Sequence, residues 1–378
     1  MTTAFVNGQV LTARGFEAAT VVVDGERITA VQSGDAVASD QRIDLEGRYL
    51  LPGFIDTQVN GGGGMLFNAT PTVEAIATIG AAHRRFGTTG FLPTLISDDL
   101  ATVERAIGAV DAAIEQGVPG VLGIHIEGPF LAESRKGVHD ASKFRTLDEA
   151  AFRLLTSARR GRTLVTLAPE TTTDEMIGRL RAAGVTVAAG HTNATYERLR
   201  SALNAGVTGF THLFNAMSPL TSRAPGAVGA ALDDPESWCG VIVDGRHIHP
   251  ATLGIAFRAK PLNRFMLVTD AMPSVGMTQK SFTLQGRAIH VVDGVCVDED
   301  GTLAGSDLDL MSAVRNAVAL TGLDLQTAVE MASVNPAAFL GVQDARGRIA
   351  IGAAADLVVA DQDLTVVETW IAGRRYVA

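Results

Sequence analysis

The chain has 378 residues, 47% of them hydrophobic, and 40 glycines, enough for one large buried core with a small accessory unit beside it. Its formal net charge of −10 and the lack of any Lys/Arg run argue against nucleic acid or an anionic membrane as partner, so an anionic small molecule would need local cationic groups. The two cysteines, Cys239 and Cys296, offer neither a disulfide framework nor a thiolate zinc site; apolar runs fall short of a membrane span, and Met1-Thr-Thr-Ala-Phe-Val-Asn7 lacks a basic stretch with a long apolar core, so the cytoplasm is expected.

Residues 1–49 read as short strands and turns: Ala4-Phe-Val-Asn-Gly8, Thr20-Val-Val-Val-Asp-Gly-Glu-Arg-Ile28 and Gln41-Arg-Ile-Asp-Leu-Glu-Gly47. Asn7-Gly8 and Asp24-Gly25, each between apolar runs, are hairpin signals. The C-terminal stretch 346–378 has the same texture, and the two ends are expected to form one small sheet domain. The middle, 50–345, then has to be a closed unit whose ends meet.

That middle alternates strands with helices. Eight strands are predicted: Tyr49 to Val59, Thr88 to Ile96, Val121 to Glu127, Thr163 to Ala168, Val185 to Gly190, Gly209 to Leu213, Cys239 to Val243 and Phe265 to Thr269. Ala-rich amphipathic stretches such as Val73 to Phe86, Leu100 to Gln116, Met176 to Ala183 and Tyr196 to Ala205 supply covering helices. The count predicts an α/β fold, a (β/α)8 barrel. The Gly61-Gly-Gly-Gly64 run reads as a loop over its mouth.

Four of these strands end in side chains that suit metal or acid/base chemistry. Val121-Leu-Gly-Ile-His-Ile-Glu127 closes on a carboxylate, Ala188-Ala-Gly-His191 and Gly209-Phe-Thr-His212 on imidazoles, and Leu267-Val-Thr-Asp270 on a second carboxylate. A Glu or Asp at a strand end also serves as a helix cap or an Arg partner. Four together at the catalytic face of a barrel outweigh that reading. His83 on a helix face and His290 on a late strand carry no assigned role. His125 shares a strand face with Glu127, and His249 is unassigned.

Leu51-Pro-Gly-Phe-Ile-Asp56, His125-Ile-Glu-Gly-Pro129, Gly190-His-Thr-Asn-Ala194, Thr211-His-Leu-Phe-Asn-Ala-Met217 and Val268-Thr-Asp-Ala271 resemble the N-acetylglucosamine-6-phosphate deacetylases of the amidohydrolase superfamily, nearly end to end. The resemblance implies a barrel flanked by a small β-sandwich built from both termini, and hydrolysis of the 2-acetamido group of N-acetylglucosamine 6-phosphate to glucosamine 6-phosphate and acetate. One departure is informative. Most amidohydrolases carry His-x-His where this chain has Gln58-Val-Asn60, and no Lys closes the fourth strand, Leu167-Ala-Pro-Glu170. Amides bind divalent metals poorly, so Gln58 and Asn60 mark second-metal positions without a ligand. One divalent ion per subunit is expected, held by Glu127, His191 and His212. Zn2+ suits these donors best; Fe2+, Co2+ and Mn2+ also fit.

A metal at that position would acidify water and polarise the acetamide carbonyl. Asp270 would pass a proton from the attacking water to the departing amine. The resemblance further implies that His139 polarises the carbonyl and that Arg223 and His247 meet the phosphate, helped by backbone N–H groups near Asn215 and Ala216. It gives Arg223 to the neighbouring subunit, hence a homodimer. The competing readings make Arg223 a solvated loop charge and turn Arg246, not His247, inward. Other functions on the same scaffold are an N-acetylgalactosamine-6-phosphate deacetylase, a dihydroorotase, a dipeptidase or a non-catalytic interaction protein.

Overall fold

In the computed structural model, residues 1–34 and 38–377 are described. Eight strands lie in chain order in one sheet: β1 (Phe54–Val59), β2 (Thr88–Ile96), β3 (Gly123–Glu127), β4 (Arg162–Leu167), β5 (Thr186–Ala189), β6 (Val207–Phe210), β7 (Trp238–Val241) and β8 (Phe265–Leu267). Every neighbouring pair is parallel. A helix follows each strand, from Val73–Arg84 after β1 to Leu310–Thr321 after β8. Side chains of Thr72, Asp148, Thr173, Thr195 and Asp309 accept from the first turns of five of these helices, satisfying N–H groups that lack intrahelical partners. With helices outside and side chains inside, β1, β2 and β3 are buried along their whole length, including polar residues such as Asp56, Gln58, Thr94 and His125.

The last and first strands meet just beyond β8. The Asp270 N–H donates to the Gln58 carbonyl at 3.0 Å, and the Ala271 carbonyl accepts from Asn60 and Gly61 at 2.9 Å each. These bonds close the (β/α)8 barrel at the end where the candidate residues gather.

The terminal segments build two further sheets. Thr2–Val6, Thr20–Asp24, Arg27–Gln32 and Gln41–Asp44 form one; Gln9–Thr12, Gly15–Ala18 and Tyr49–Pro52 join Leu357–Ala360, Val366–Ile371 and Arg374–Val377 in the other. Between them Phe5, Val21, Ile28, Leu50, Leu357 and Trp370 share one core, with the Phe5 and Trp370 rings edge to face at 5.0 Å. Strand alternation then joins this sandwich to the barrel. Leu50, Leu357 and Val359 face the sandwich core, whereas Leu51 and Val358 face the barrel's.

A four-stranded antiparallel sheet, Ser281–Leu284, Arg287–Val292, Val295–Val297 and Leu303–Ser306, follows β8; the sequence marked only the late strand that carries His290. Its turns nevertheless carry a readable signal. Gln285-Gly286 and Asp293-Gly294 both have positive φ at the two central positions, the geometry that X-Gly pairs favour in tight hairpins.

Asp56, in the middle of β1, is fully buried. Its Oδ2 accepts from the Thr269 hydroxyl at 2.6 Å and its Oδ1 from the Gln58 N–H at 3.1 Å, so it ties the first strand to the segment beyond the last. Burial pushes its carboxyl up to about 7, against the pull of those donors. The folded chain therefore holds a proton that the unfolded chain releases near pH 4. The stability this contributes is full below that pH and is lost as pH rises through about 7, a change of about 4 kcal/mol. Asp56→Asn should flatten the fall of melting temperature between pH 4 and pH 7. An unchanged slope would remove Asp56 as its source.

Candidate active site

Each candidate side chain leaves the C-terminal end of a barrel strand. Glu127 is the last residue of β3, while His191, His212 and Asp270 lie two or three positions beyond β5, β6 and β8. All three of these have left-handed backbone, with φ of 48°, 35° and 52°. No glycine relieves them, and such conformations cost about 1–3 kcal/mol each and persist where surrounding bonds over-determine them. This is also why those strands end before their apolar runs do: the left-handed turn breaks the pairing and swings the side chain into the mouth.

Glu127 Oε1 lies 3.2 Å from His191 Nε2 and 3.0 Å from His212 Nε2, and the two nitrogens are 3.1 Å apart. Ligand atoms about 2.0–2.1 Å from one tetrahedral ion stand roughly 3.3 Å apart, so the triangle fits a single metal. His191 Nδ1–H donates to the Arg135 carbonyl at 2.8 Å, which leaves a lone pair on Nε2. Burial alone would push the Glu127 carboxyl up. The two imidazoles outweigh it and hold the group well below the usual carboxylate range, while Glu127 in turn raises His212 against its own burial.

A second Glu/His/His group shares Glu127 and His191 but takes His139 as its third member, with donor atoms within 4.8 Å. Hydrogen bonding favours His212 over His139 as ligand. His139 Nδ1 lies 2.8 Å from the Ser97 hydroxyl and accepts from the Ser97 N–H at 3.4 Å, so its proton sits on Nε2. Burial, with His191 nearby, holds the His139 pKa well below the ordinary histidine value and the ring neutral. A neutral Nε2–H is a donor, not a ligand.

Asp270 is the second carboxylate of the site, half-buried at the mouth. Its Oδ1 accepts from Asn60 Nδ2 at 2.6 Å and from Gln58 Nε2 at 3.2 Å, and the same Gln58 nitrogen donates to Glu127 Oε2 at 3.1 Å. Burial first, and the charge of Glu127 second, push the Asp270 carboxyl up to about 6. Neither amide donates to Asp270 Oδ2, which remains to handle a proton.

A cavity of about 370 Å³ opens over these groups, lined by Asn60, Glu127, His139, His191, His212, Asn215, Ala216, His247 and Asp270, with Thr302, Leu303 and Gly305 of the 281–306 sheet as a wall. The Asn215 N–H closes a turn onto the His212 carbonyl at 2.9 Å, and Ala216 is left-handed with φ of 51°. His247 faces the cavity, whereas Arg246 is exposed and lies 3.8 Å from Asp293. Arg223 is exposed on the loop after β6 and is not among the cavity's lining residues. His125 lies beneath, between the Thr94 and Thr166 hydroxyls, and burial pushes it down to about 4. His83 bonds the Gly61 carbonyl, and His249 caps the helix Pro250–Ala259. Sequence reasoning missed Ser97, the Arg135 carbonyl and Asp244; of these residues only Arg135 lines the cavity. Only Asp244, inside Asp244-Gly-Arg-His247, had a motif to mark it.

Residues 49–376 match the model of the amidohydrolase family. An N-acetylgalactosamine-6-phosphate deacetylase of Shewanella sp. (strain ANA-3) is 45% identical over 343 residues, 90% of this chain and 86% of the relative. The crystal structure of an N-acetylglucosamine-6-phosphate deacetylase from Pasteurella multocida superposes with a TM-score of 0.97 at 34% identity, covering 100% of both chains. A Mycobacterium smegmatis N-acetyl-D-glucosamine-6-phosphate deacetylase, in a variant with an aspartate replaced by alanine and in complex with N-acetyl-D-glucosamine-6-phosphate, gives 0.91 at 35% identity, covering 100% of this chain and 99% of that one.

Proposed function

The chain belongs to the amidohydrolase family, and within it we propose that it hydrolyses the acetamido group of N-acetyl-D-glucosamine 6-phosphate to D-glucosamine 6-phosphate and acetate. The observation that carries this is the juxtaposition of a Glu/His/His triangle with a second carboxylate whose pKa is raised to about 6, in one cavity. Glu127, His191 and His212 would hold one divalent ion, Zn2+ by the donor set. Bound there, it supplies a Lewis acid for the amide carbonyl and an acidified water.

The chain's own residues do the rest. Asp270 Oδ2 takes a proton from the attacking water, because Oδ1 is engaged by Asn60 and Gln58. The protonated Asp270 then passes that proton to the amine nitrogen as the C–N bond breaks. The His139 Nε2–H donates to the carbonyl oxygen as negative charge grows there. At the far end of the substrate, His247 and the backbone N–H groups around Asn215 and Ala216 receive the phosphate. Arg223, exposed and outside its own cavity, completes the phosphate site of a neighbouring subunit, which makes the working form a homodimer. Residues 50–345 carry this chemistry and 1–49 with 346–378 brace it. A phosphorylated sugar is a metabolite of the cell interior, so we place the enzyme in the cytoplasm. N-acetylgalactosamine 6-phosphate is the second reading, favoured by the 45% identical relative that carries that substrate in its name.

Acetate release from both 6-phosphates and from unphosphorylated N-acetylglucosamine tests the assignment: the phosphorylated sugars should turn over far faster. Asp270→Asn should cut turnover at least roughly a hundredfold while bound metal is retained, and near-normal turnover would put the proton shuttle elsewhere. Arg223→Ala should lose at least roughly 30-fold in kcat/KM toward the 6-phosphate. Hybrid dimers of Arg223→Ala and Asp270→Asn subunits contain one intact site, so co-refolding should restore substantial activity. A mixture no better than the sum of its parents, with hybrids verified, would deny Arg223 a role across the interface.

A further inference from the structure

Asp244 sits behind His247 in the loop after β7, and nothing in the proposed chemistry uses it. Its side chain is 5% exposed and that of His247 is 4% exposed. Oδ1 accepts from the backbone N–H groups of Arg246 at 2.9 Å and His247 at 2.8 Å; Oδ2 accepts from His247 Nδ1 at 2.6 Å. The strand end beneath is braced by Asn316, whose Nδ2 donates to the Val243 carbonyl at 2.8 Å. Asp244 does not line the cavity, but His247 does. With Nδ1 turned to the carboxylate, Nε2 is the nitrogen on offer to a ligand.

We propose that Asp244 is the positioning residue of the phosphate pole: it fixes the His247 ring and lets it donate from both nitrogens, to Asp244 behind and to the phosphate in front. This rests on the reading that His247 meets the phosphate. Two features favour a charged ring. A buried carboxylate needs a counter-charge, and among the described residues His247 is the one cationic partner within ion-pair distance of Asp244. Arg246, the neighbouring cation, is exposed and turned toward Asp293, so it cannot substitute. A ring that donates to Asp244 through Nδ1 and is neutral would present a bare lone pair to an anion, which repels it.

Asp244→Asn separates charge from shape. The amide oxygen still accepts from the turn's N–H groups, while its NH2 faces Nδ1 and forces the neutral tautomer with the proton on Nε2. A donor is kept and the charge is lost. The KM for the 6-phosphate should rise about tenfold, with the loss in KM rather than kcat, and kcat/KM toward unphosphorylated N-acetylglucosamine should fall far less. In a His247→Ala background the same substitution should add little further loss of phosphate preference. A purely structural role predicts equal losses on both substrates or a loss in kcat, and either result overturns the proposal, as does full additivity in the double variant. If His247→Ala alone leaves the preference for phosphorylated substrate intact, the phosphate reading of His247 fails first, and the proposal with it.

Discussion

One side-chain amide holds two carboxylates together, Glu127 buried and Asp270 half-buried at the mouth. Gln58 Nε2 donates at 3.1 Å to Glu127 Oε2 and at 3.2 Å to Asp270 Oδ1. Two carboxylates in one low-dielectric mouth repel, and each raises the other's pKa. The amides of Gln58 and Asn60 offset part of that repulsion without neutralising either group. The consequence is a division of labour. Glu127, flanked by two imidazoles, stays anionic as a ligand should, whereas Asp270, with only amide donors, is pushed up to about 6, where a group can both take and give a proton.

The same economy runs through the scaffold. His191, His212 and Asp270 each spend backbone strain to reach the mouth, and Asp56 spends desolvation to tie β1 to the segment carrying Asp270. The barrel bears these costs because it is buried on every side: inside by its own strands, outside by eight helices, and along one flank by a sheet whose Leu51 and Val358 belong to its core. The terminal sandwich thereby supports the site without approaching it.

The barrel was legible because its signals are local. Continuous apolar runs marked the strands, alanine-rich periodicity marked the helices, and the interruption of a run by Glu127, His191, His212 or Asp270 marked the mouth. Strand ends were drawn two or three residues too long after β6, β7 and β8; after β6 and β8 the reason is a left-handed turn at a non-glycine residue, His212 and Asp270, which leaves no trace in composition. Of the sheet of 281–306 only the strand carrying His290 was legible, although Asp293-Gly294 announces a hairpin, because its partly exposed short strands lack the apolar runs that mark the barrel. Ser97 and the Arg135 carbonyl were not legible, and Asp244 was marked only as part of Asp244-Gly-Arg-His247: a residue that acts by holding another is recognised only when the distance between them is known.

We propose that the amides of Gln58 and Asn60 leave room for one ion only. It is tested most directly by adding metal back to chelator-treated protein and following tightly bound ion and acetate release together. Activity should rise linearly and level off at one ion per chain. A plateau reached only at two tightly held ions would contradict it.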